Sequence, residues 1–239
     1  MMNIVGRVDL AAASGGTVWH RASALGKLSF TLLLLGIVVF SRSLPLLVAL
    51  HLLAWTLARS SRLPWRVILT MLLYPLLFSA LFVLATWDAT WQTPVRLLLR
   101  PTTACLCAIW LVATTPYPDL FAPLSRVLPG NVADGLFITY RALFELIDRT
   151  ERLMRAVQLR GGVSGKLRRR LTASGESLGT LVLHSFDRSE RTYATMLLRG
   201  HSGRICGCRH YADVTRDDLW VAGCAVLAVG LAIGLGGRT

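Results

Sequence analysis

Long apolar runs alternate with short polar segments along most of the chain. Five stretches are uncharged apart from Lys27 near the start of the first, and they lie at about residues 22–41, 43–58, 67–87, 101–118 and 219–237. A membrane-spanning helix needs about 20 predominantly apolar residues, with a range of roughly 17 to 25. The pattern predicts five transmembrane helices; the third and fifth stretches meet the length requirement by themselves, and the second is short and carries His51.

A different pattern occurs twice after the fourth stretch. The segment DRTERLMRAVQLRG at residues 148–161 is followed by DRSERTYATMLLRG at residues 187–200. Apolar residues at helical spacing and acid-before-base pairs four residues apart favour exposed amphipathic helices. The pairs in the first copy are Glu145/Arg149, Asp148/Arg152 and Glu151/Arg155. We predict one helix from about residue 132 to the glycines at 161 and 162, and another from about residue 174 to residue 200, capped by Ser174 or Ser177.

Each copy places a small residue between two arginines on one helix face, because the three positions are four residues apart. A small residue one turn before the last arginine lets another surface approach, and the guanidinium can then reach carboxylates or carbonyls. One copy could be explained as a solvated helix face with an arginine at the negative end of the helix dipole. This explanation does not account for the shared residues of the two copies. We therefore predict two matching docking tips for a dimeric partner. The candidate residues are Arg152, Ala156, Arg160 and Gly161 in the first copy and Arg191, Thr195, Arg199 and Gly200 in the second.

Composition and charge agree with a membrane location. The chain is 54% hydrophobic and 16% charged, with a mean hydropathy of +0.54, against about a quarter charged residues in soluble domains. Its net charge is +13, and residues 117–218 hold 16 of the 26 lysines and arginines. The positive-inside rule places the N-terminus and this segment in the cytoplasm and the C-terminus outside. The prediction is an all-α membrane protein with four spans in residues 1–118, a cytoplasmic segment of two long helices at 119–218 and a last span at 219–239; we find no cleavable signal peptide.

The arginine–glycine motifs AVQLRG and TMLLRG resemble the paired coupling motifs of the T component of energy-coupling-factor (ECF) transporters, and the CbiQ family of cobalt transporters in particular. Residues 114–161 are similar to that family from the fourth span through the first coupling helix, including the Thr-Pro, the Leu-Pro and Thr139-Tyr140-Arg141. WHRASALGKL, before the first span, resembles it more weakly. Two departures occur: Thr195 stands where the family commonly has alanine, and Gly162 and His201 stand where an aromatic residue is common.

The resemblance implies a coupling scaffold without enzymatic activity or a bound cofactor of its own. Two coupling helices would rest on a dimer of CbiO-like ATPase subunits, which bind the ATP and Mg. The spans would hold a metal-binding CbiM-like membrane subunit, with a small CbiN-like accessory subunit as a further partner. Cobalt is implied by the resemblance alone; nickel or a vitamin stays an alternative, because related importers share these motifs. The implied location is the bacterial inner membrane.

Several residues suggest other chemistry. Cys206, Cys208 and His210, with His201 nearby, form a candidate metal site, although structural zinc sites use wider spacings and reduced thiols are expected in the cytoplasm. The basic run at residues 166–170 favours contact with membrane lipid over nucleic acid, since no aromatic interleaving accompanies it. Lys27 and Arg59 lie near span ends, where side chains can reach the headgroups. Asp88 and His51 are candidate proton-relay groups. The alternative for Asp88 is an ordinary solvated carboxylate at the outer end of its span, and the alternative for His51 is an interior histidine with both ring nitrogens hydrogen-bonded.

Two other classes of protein fit less well. A membrane enzyme is disfavoured because the sequence contains no GxGxxG, P-loop, HExxH or GxSxG motif. A self-contained permease is disfavoured because such proteins often carry inverted transmembrane repeats, whereas the repeat here lies in the predicted cytoplasmic segment.

Overall fold

The computed structural model describes residues 12–41, 43–85, 91–125, 128–162, 167–201 and 216–236. These residues form helices and turns and no strand, which confirms the predicted all-α class. The principal helices are α1 (Val18–Arg21), α2 (Ala24–Phe40), α3 (Leu44–Ser60), α4 (Trp65–Ala85), α5 (Gln92–Thr114), α6 (Tyr117–Leu124), α7 (Gly130–Leu159), α8 (Leu167–Leu198) and α9 (Asp218–Gly236).

The chain forms two compact units, Met1–Pro123 with Arg209–Thr239, and Leu124–Cys208. In the first unit α5 packs against α2, α3 and α4, and α9 packs on α2 and α3. Trp110 of α5 is fully buried and meets the rings of Trp19 and Phe30 edge-on, with centroids 5.5 and 5.7 Å apart. The apolar core of this unit therefore forms around α5. The domain boundaries at residues 118 and 218 stay a prediction.

Helices α4, α5 and α9 are long and apolar enough to cross a membrane, while α2 and α3 are shorter apolar helices of 17 residues each. The outward faces of the long helices carry large exposed hydrophobic side chains, including Tyr74, Phe82 and Leu84 of α4 and Trp220 and Ile233 of α9. Such a surface suits contact with lipid tails. The first unit is the membrane part of an all-α membrane protein.

The fourth predicted span begins too late in the sequence analysis. Helix α5 starts at Gln92 rather than near Pro101, so that Arg96 and Arg100 belong to the helix. The Nη2 atom of Arg100 donates to the Ser41 carbonyl at the end of α2, at 2.5 Å. A charged group can occupy a membrane helix when it binds the free carbonyls of a neighbouring helix end. Counting charges along the sequence does not reveal such a partner.

The prediction that Lys27 reaches the headgroups is wrong, whereas Arg59 is exposed as expected. The Lys27 side chain is 1% exposed. Its Nζ donates to the carbonyl oxygens of Trp19 and Thr114, each at 3.0 Å. Both acceptors lie at helix ends, where carbonyls lack intrahelical partners. The ammonium is thus bound inside the protein.

His51 has the contacts of a satisfied interior histidine. Trp55 Nε1 donates to His51 Nε2 at 3.0 Å. Thr103 donates its hydroxyl to the Leu99 carbonyl, so its oxygen accepts from His51 Nδ1 at 2.9 Å. Both ring nitrogens are used, and the contacts link α3 to α5. Asp88, the other candidate relay group, lies outside the described residues.

The second unit contains the two longest helices. Helix α7 agrees with the predicted helix within two residues at its start. Helix α8 begins at Leu167, seven residues before the predicted start at residue 174. Ser174 and Ser177 do not cap it, because their hydroxyls donate to the carbonyls of Arg170 and Ala173 one turn back, at 2.9 and 2.6 Å. Serine is compatible with a helix interior when it makes this bond.

Candidate docking site at the tips of two long helices

Helix α7 ends in a Schellman motif centred on Gly161. The Gly161 amide donates to the Gln158 carbonyl at 3.0 Å, and the Gly162 amide donates to the Val157 carbonyl at 2.9 Å. Gly161 has φ +72°, a left-handed conformation that glycine adopts without steric cost. Arg160 therefore stands as the last residue before the chain reverses.

Helix α8 ends in the same way. The Gly200 amide donates to the Leu197 carbonyl and the His201 amide donates to the Met196 carbonyl, both at 3.0 Å. Gly200 has φ +78°, and Arg199 occupies the position that Arg160 holds in α7. The repeated arginine–glycine pair thus has a backbone explanation: the glycine ends the helix, and the arginine becomes its tip.

The side chains of the two tips project into solvent. Arg152, Arg160, Arg191 and Arg199 are exposed. Within the described ranges, no hydrogen bond or ion pair involves the guanidinium of Arg160 or Arg199. Ala156 is half-buried, so little side chain stands between the two arginines of α7. Each tip is therefore available to bind an acidic or carbonyl-lined surface.

Two exposed leucines belong to the tips, and the sequence analysis missed them. Leu159 and Leu198 directly precede the arginines and are 89% and 87% exposed. The two leucines thus occupy equivalent exposed positions at the two helix ends. The repeat is identical at Leu-Arg-Gly in both copies, but this identity does not distinguish an exposed leucine from a core leucine.

Thr195 stands where the CbiQ family commonly has alanine, and its hydroxyl is hydrogen-bonded within its own helix. Its Oγ1 donates to the Thr192 carbonyl in the same helix at 2.8 Å. The remaining difference between Thr195 and an alanine is therefore mainly one of size. Both Ala156 and Thr195 would present a methyl group to a partner, and Thr195 would hold the partner further from the helix backbone.

The two helices pack antiparallel. Arg188 of α8 contacts Glu145 of α7, with Nη2 and Oε1 2.5 Å apart. Further along, Ala173 of α8 lies against Gly162 at the end of α7. At about 1.5 Å per residue, Arg199 lies roughly 39 Å beyond Ala173 along α8. The two tips thus stand at opposite ends of α8.

The other predicted ion pairs of α7 are peripheral to the tips. Glu151 and Arg155 form an exposed pair at 3.7 Å. Glu145 is engaged by Arg188 across the two helices, not by Arg149 as predicted. Exposed pairs of this kind contribute at most about 1 kcal/mol, so packing of the two helices must rest on closer contacts as well.

Gly162 provides one such contact, and we expect Gly162→Leu to destabilise the second unit. A Cβ atom at this position would lie 2.8 Å from Val157 Cγ1 and 3.1 Å from Ala173 Cβ. Overpacking of this kind costs about 1–3 kcal/mol. Hydrogen exchange should show faster exchange of the amides of 157–162 and 167–175. The matched change Gly179→Leu, where a Cβ meets no atom within 4 Å, should leave exchange in these segments unchanged; equal exchange in both variants would contradict the prediction.

Cys206, Cys208 and His210 lie outside the described residues, and so does Lys166 of the basic run. Arg168, Arg169 and Arg170 form the exposed first turn of α8. His201 contributes its backbone amide to the cap of α8. The metal-site and lipid-contact hypotheses for these segments stay predictions.

Comparisons with known proteins point to one family. The family model CbiQ, described as cobalt transport protein, matches residues 15–207. The uncharacterized protein MJ1089 of Methanocaldococcus jannaschii is 29% identical over 102 residues, covering 41% of this chain and 36% of that protein. The cobalt transport protein CbiQ of Salmonella typhimurium is 36% identical over 64 residues, covering 26% of this chain and 28% of that protein. Each alignment spans well under half of the relative's length.

Proposed function

The chain belongs to the CbiQ family of cobalt transport proteins, and on that premise we propose that it is the T component of an ECF-type cobalt importer. In this role it links ATP hydrolysis by cytoplasmic subunits to reorientation of a metal-binding membrane subunit. The transport family and the apolar helices make it a membrane transport protein. The ATPase linkage and the location in the bacterial inner membrane are parts of the proposal.

The observation that carries the proposal is the pair of matching helix tips. Both helices end in the same backbone motif, with an exposed leucine and an exposed arginine before a left-handed glycine. The helix caps account for the two glycines, but no contact within the described second unit accounts for the matching leucine and arginine side chains. A partner with two equivalent sockets would account for them, and a dimer of ATPase subunits offers two equivalent surfaces by symmetry.

The proposed division of labour follows from the chemistry of the tips. Arg160 and Arg199 would each dock into a socket of one CbiO-like ATPase subunit, with Ala156 and Thr195 against its wall. Arg152 and Arg191, one turn before these residues, would bind the rim. ATP and Mg belong to the ATPase subunits, and no catalytic step is proposed for this chain. Closure of the ATPase dimer would move the two tips relative to each other, and the helices would carry that motion toward the membrane unit.

The remaining proposed partners are a CbiM-like metal-binding membrane subunit, a small CbiN-like accessory subunit and membrane lipid. Cobalt is the proposed cargo because the matching family is described as a cobalt transport family. The exposed leucines at the tips and Thr195 would contact only the ATPase subunits, so these residues carry no information about the transported ion.

The test is reconstitution of the complete transporter in liposomes. We expect the purified chain to bind the two ATPase subunits in detergent, and uptake of radioactive cobalt to require the chain, the ATPase subunits, the metal-binding subunit and ATP together. The chain alone should neither hydrolyse ATP nor admit cobalt. Uptake by the chain alone would show a self-contained permease, and uptake of nickel in preference to cobalt would correct the cargo.

A further inference from the structure

We propose that Lys27 is a positioning residue that joins the start of α2 to the end of α5, the last span before the chain passes to the second unit, so that these helices move together during transport. The inference rests on the proposed function, because it assigns a path for the force that the ATPase subunits deliver. Lys27 lies far from the tips in sequence and belongs to neither coupling motif.

The contacts of Lys27 join three separate segments. Its Nζ binds the Trp19 carbonyl in α1 and the Thr114 carbonyl at the end of α5, while its backbone belongs to α2. Both bonds are 3.0 Å long. Carbonyls in the last turn of a helix carry partial negative charge and lack intrahelical donors. An ammonium between two such ends replaces the missing donors and holds the ends at a fixed distance.

Helix α9 is connected to the same place. The Asp218 Oδ1 atom, in the first turn of α9, accepts from the Ser23 amide at 2.7 Å. The Ser23 hydroxyl accepts from the Gly26 amide at 3.2 Å, which caps the start of α2. Contacts from α1, α5 and α9 thus come together at the start of α2.

The place of this cluster in the chain gives it a function. Along the chain, α5 is the last span before the second unit begins at Leu124, and α9 is the first span after the chain returns to the first unit at Arg209. A displacement passed along the chain from the second unit would reach the spans at the end of α5 and at the start of α9. The cluster binds each of these two span ends to the start of α2. A displacement of either span end therefore acts on α2, α5 and α9 as a group.

The burial of Lys27 distinguishes this role from ordinary packing. A lysine that is 1% exposed loses its hydration, and an apolar side chain of similar length would fill the space without that cost. What the apolar side chain lacks is the directional link between the carbonyls of Trp19 and Thr114. Lys27→Met should therefore preserve the packed bundle while it releases the ends of α1 and α5 from α2.

The experiment measures cobalt ions imported per ATP hydrolysed, in liposomes holding the complete transporter. For Lys27→Met we expect ATPase subunits bound in detergent and an ATP hydrolysis rate within twofold of the unmodified protein, with at least a tenfold lower ratio of cobalt to ATP. The control is Thr31→Val, which removes a buried hydrogen bond to the Lys27 carbonyl one turn along α2 but no link to α1, α5 or α9; its ratio should be unchanged.

A role confined to stability would lower uptake and hydrolysis together and leave the ratio unchanged. A ratio for Lys27→Met within twofold of the unmodified protein overturns the inference. If Lys27→Met does not accumulate in the membrane, Asp218→Ala decides, since it removes the acceptor for the Ser23 amide and with it the link between α9 and the start of α2; we expect at least a threefold lower ratio, and an unchanged ratio overturns the inference. Failure of the unmodified chain to bind ATPase subunits would instead refute the proposed function.

Discussion

The double variant Arg160→Glu with Arg199→Glu is expected to lose the ATPase subunits on purification in detergent. Each substitution places a carboxylate where the partner surface would present carboxylates or carbonyls. Removing one member of a buried, hydrogen-bonded charge pair costs about 2–5 kcal/mol, and reversal of the charge adds repulsion. Because the two tips stand at opposite ends of α8 and would occupy separate sockets, their effects should add. Each single variant should retain partial binding.

The measurement is the yield of ATPase subunits recovered with the tagged chain. We expect at least a hundredfold loss for the double variant, which corresponds to about 2.7 kcal/mol. The matched control is Arg155→Glu with Arg169→Glu, which changes the same net charge at exposed positions of the same helices and should keep the yield within threefold. An undiminished yield for the tip variant would refute the docking role of both arginines.

Replacing both tip glycines by valine is expected to weaken ATPase binding with the arginines still in place. The left-handed backbone at Gly161 and Gly200, with φ +72° and +78°, excludes a β-branched side chain except at a cost of roughly 1–2 kcal/mol per position. The helix end should relax to another conformation and turn Leu159, Arg160, Leu198 and Arg199 away from the sockets. No atom lies within 4 Å of a Cβ built at either glycine, so the backbone conformation alone causes the effect.

This second prediction has a control at the same positions. Asparagine tolerates the left-handed conformation, so Gly161→Asn with Gly200→Asn should retain at least a third of the ATPase yield, whereas the valine pair should lose at least tenfold. Circular dichroism should report the same helix content for both pairs. Equal yields for valine and asparagine would show that the glycines serve close approach of the partner and not the helix ends.

The apolar and amphipathic patterns predicted most of the helices because helix formation and membrane insertion depend on local composition. Helices α2, α3, α4, α7 and α9 begin and end within a few residues of the predicted limits. The start of α5 was predicted too late because the charges of Arg96 and Arg100 indicated a polar loop between two spans. The start of α8 was misplaced because Ser174 and Ser177 read as caps, although both donate to carbonyls within the helix.

For the candidate site, the repeated motif proposed eight residues, and the structure adds the reason for the glycine that ends each copy. The Schellman motifs explain the glycine at the end of each copy, and they do not require the arginine that precedes it. Leu159 and Leu198 were missed because an isolated leucine in an amphipathic repeat is indistinguishable from a core residue until its exposure is known. The docking itself, and the identity of the partner, stay proposals.

The sequence by itself determined the membrane class, the number and order of the apolar helices and the duplicated tips, because periodicity, charge placement and internal repetition are properties of neighbouring residues. Only the tertiary structure decided the fate of groups whose partners are distant in the chain. Lys27 is bound by the carbonyl of Thr114, 87 residues away, and Asp218 meets Ser23 across 195 residues. A buried charge is stable only where such partners meet it, and long-range packing alone brings them together.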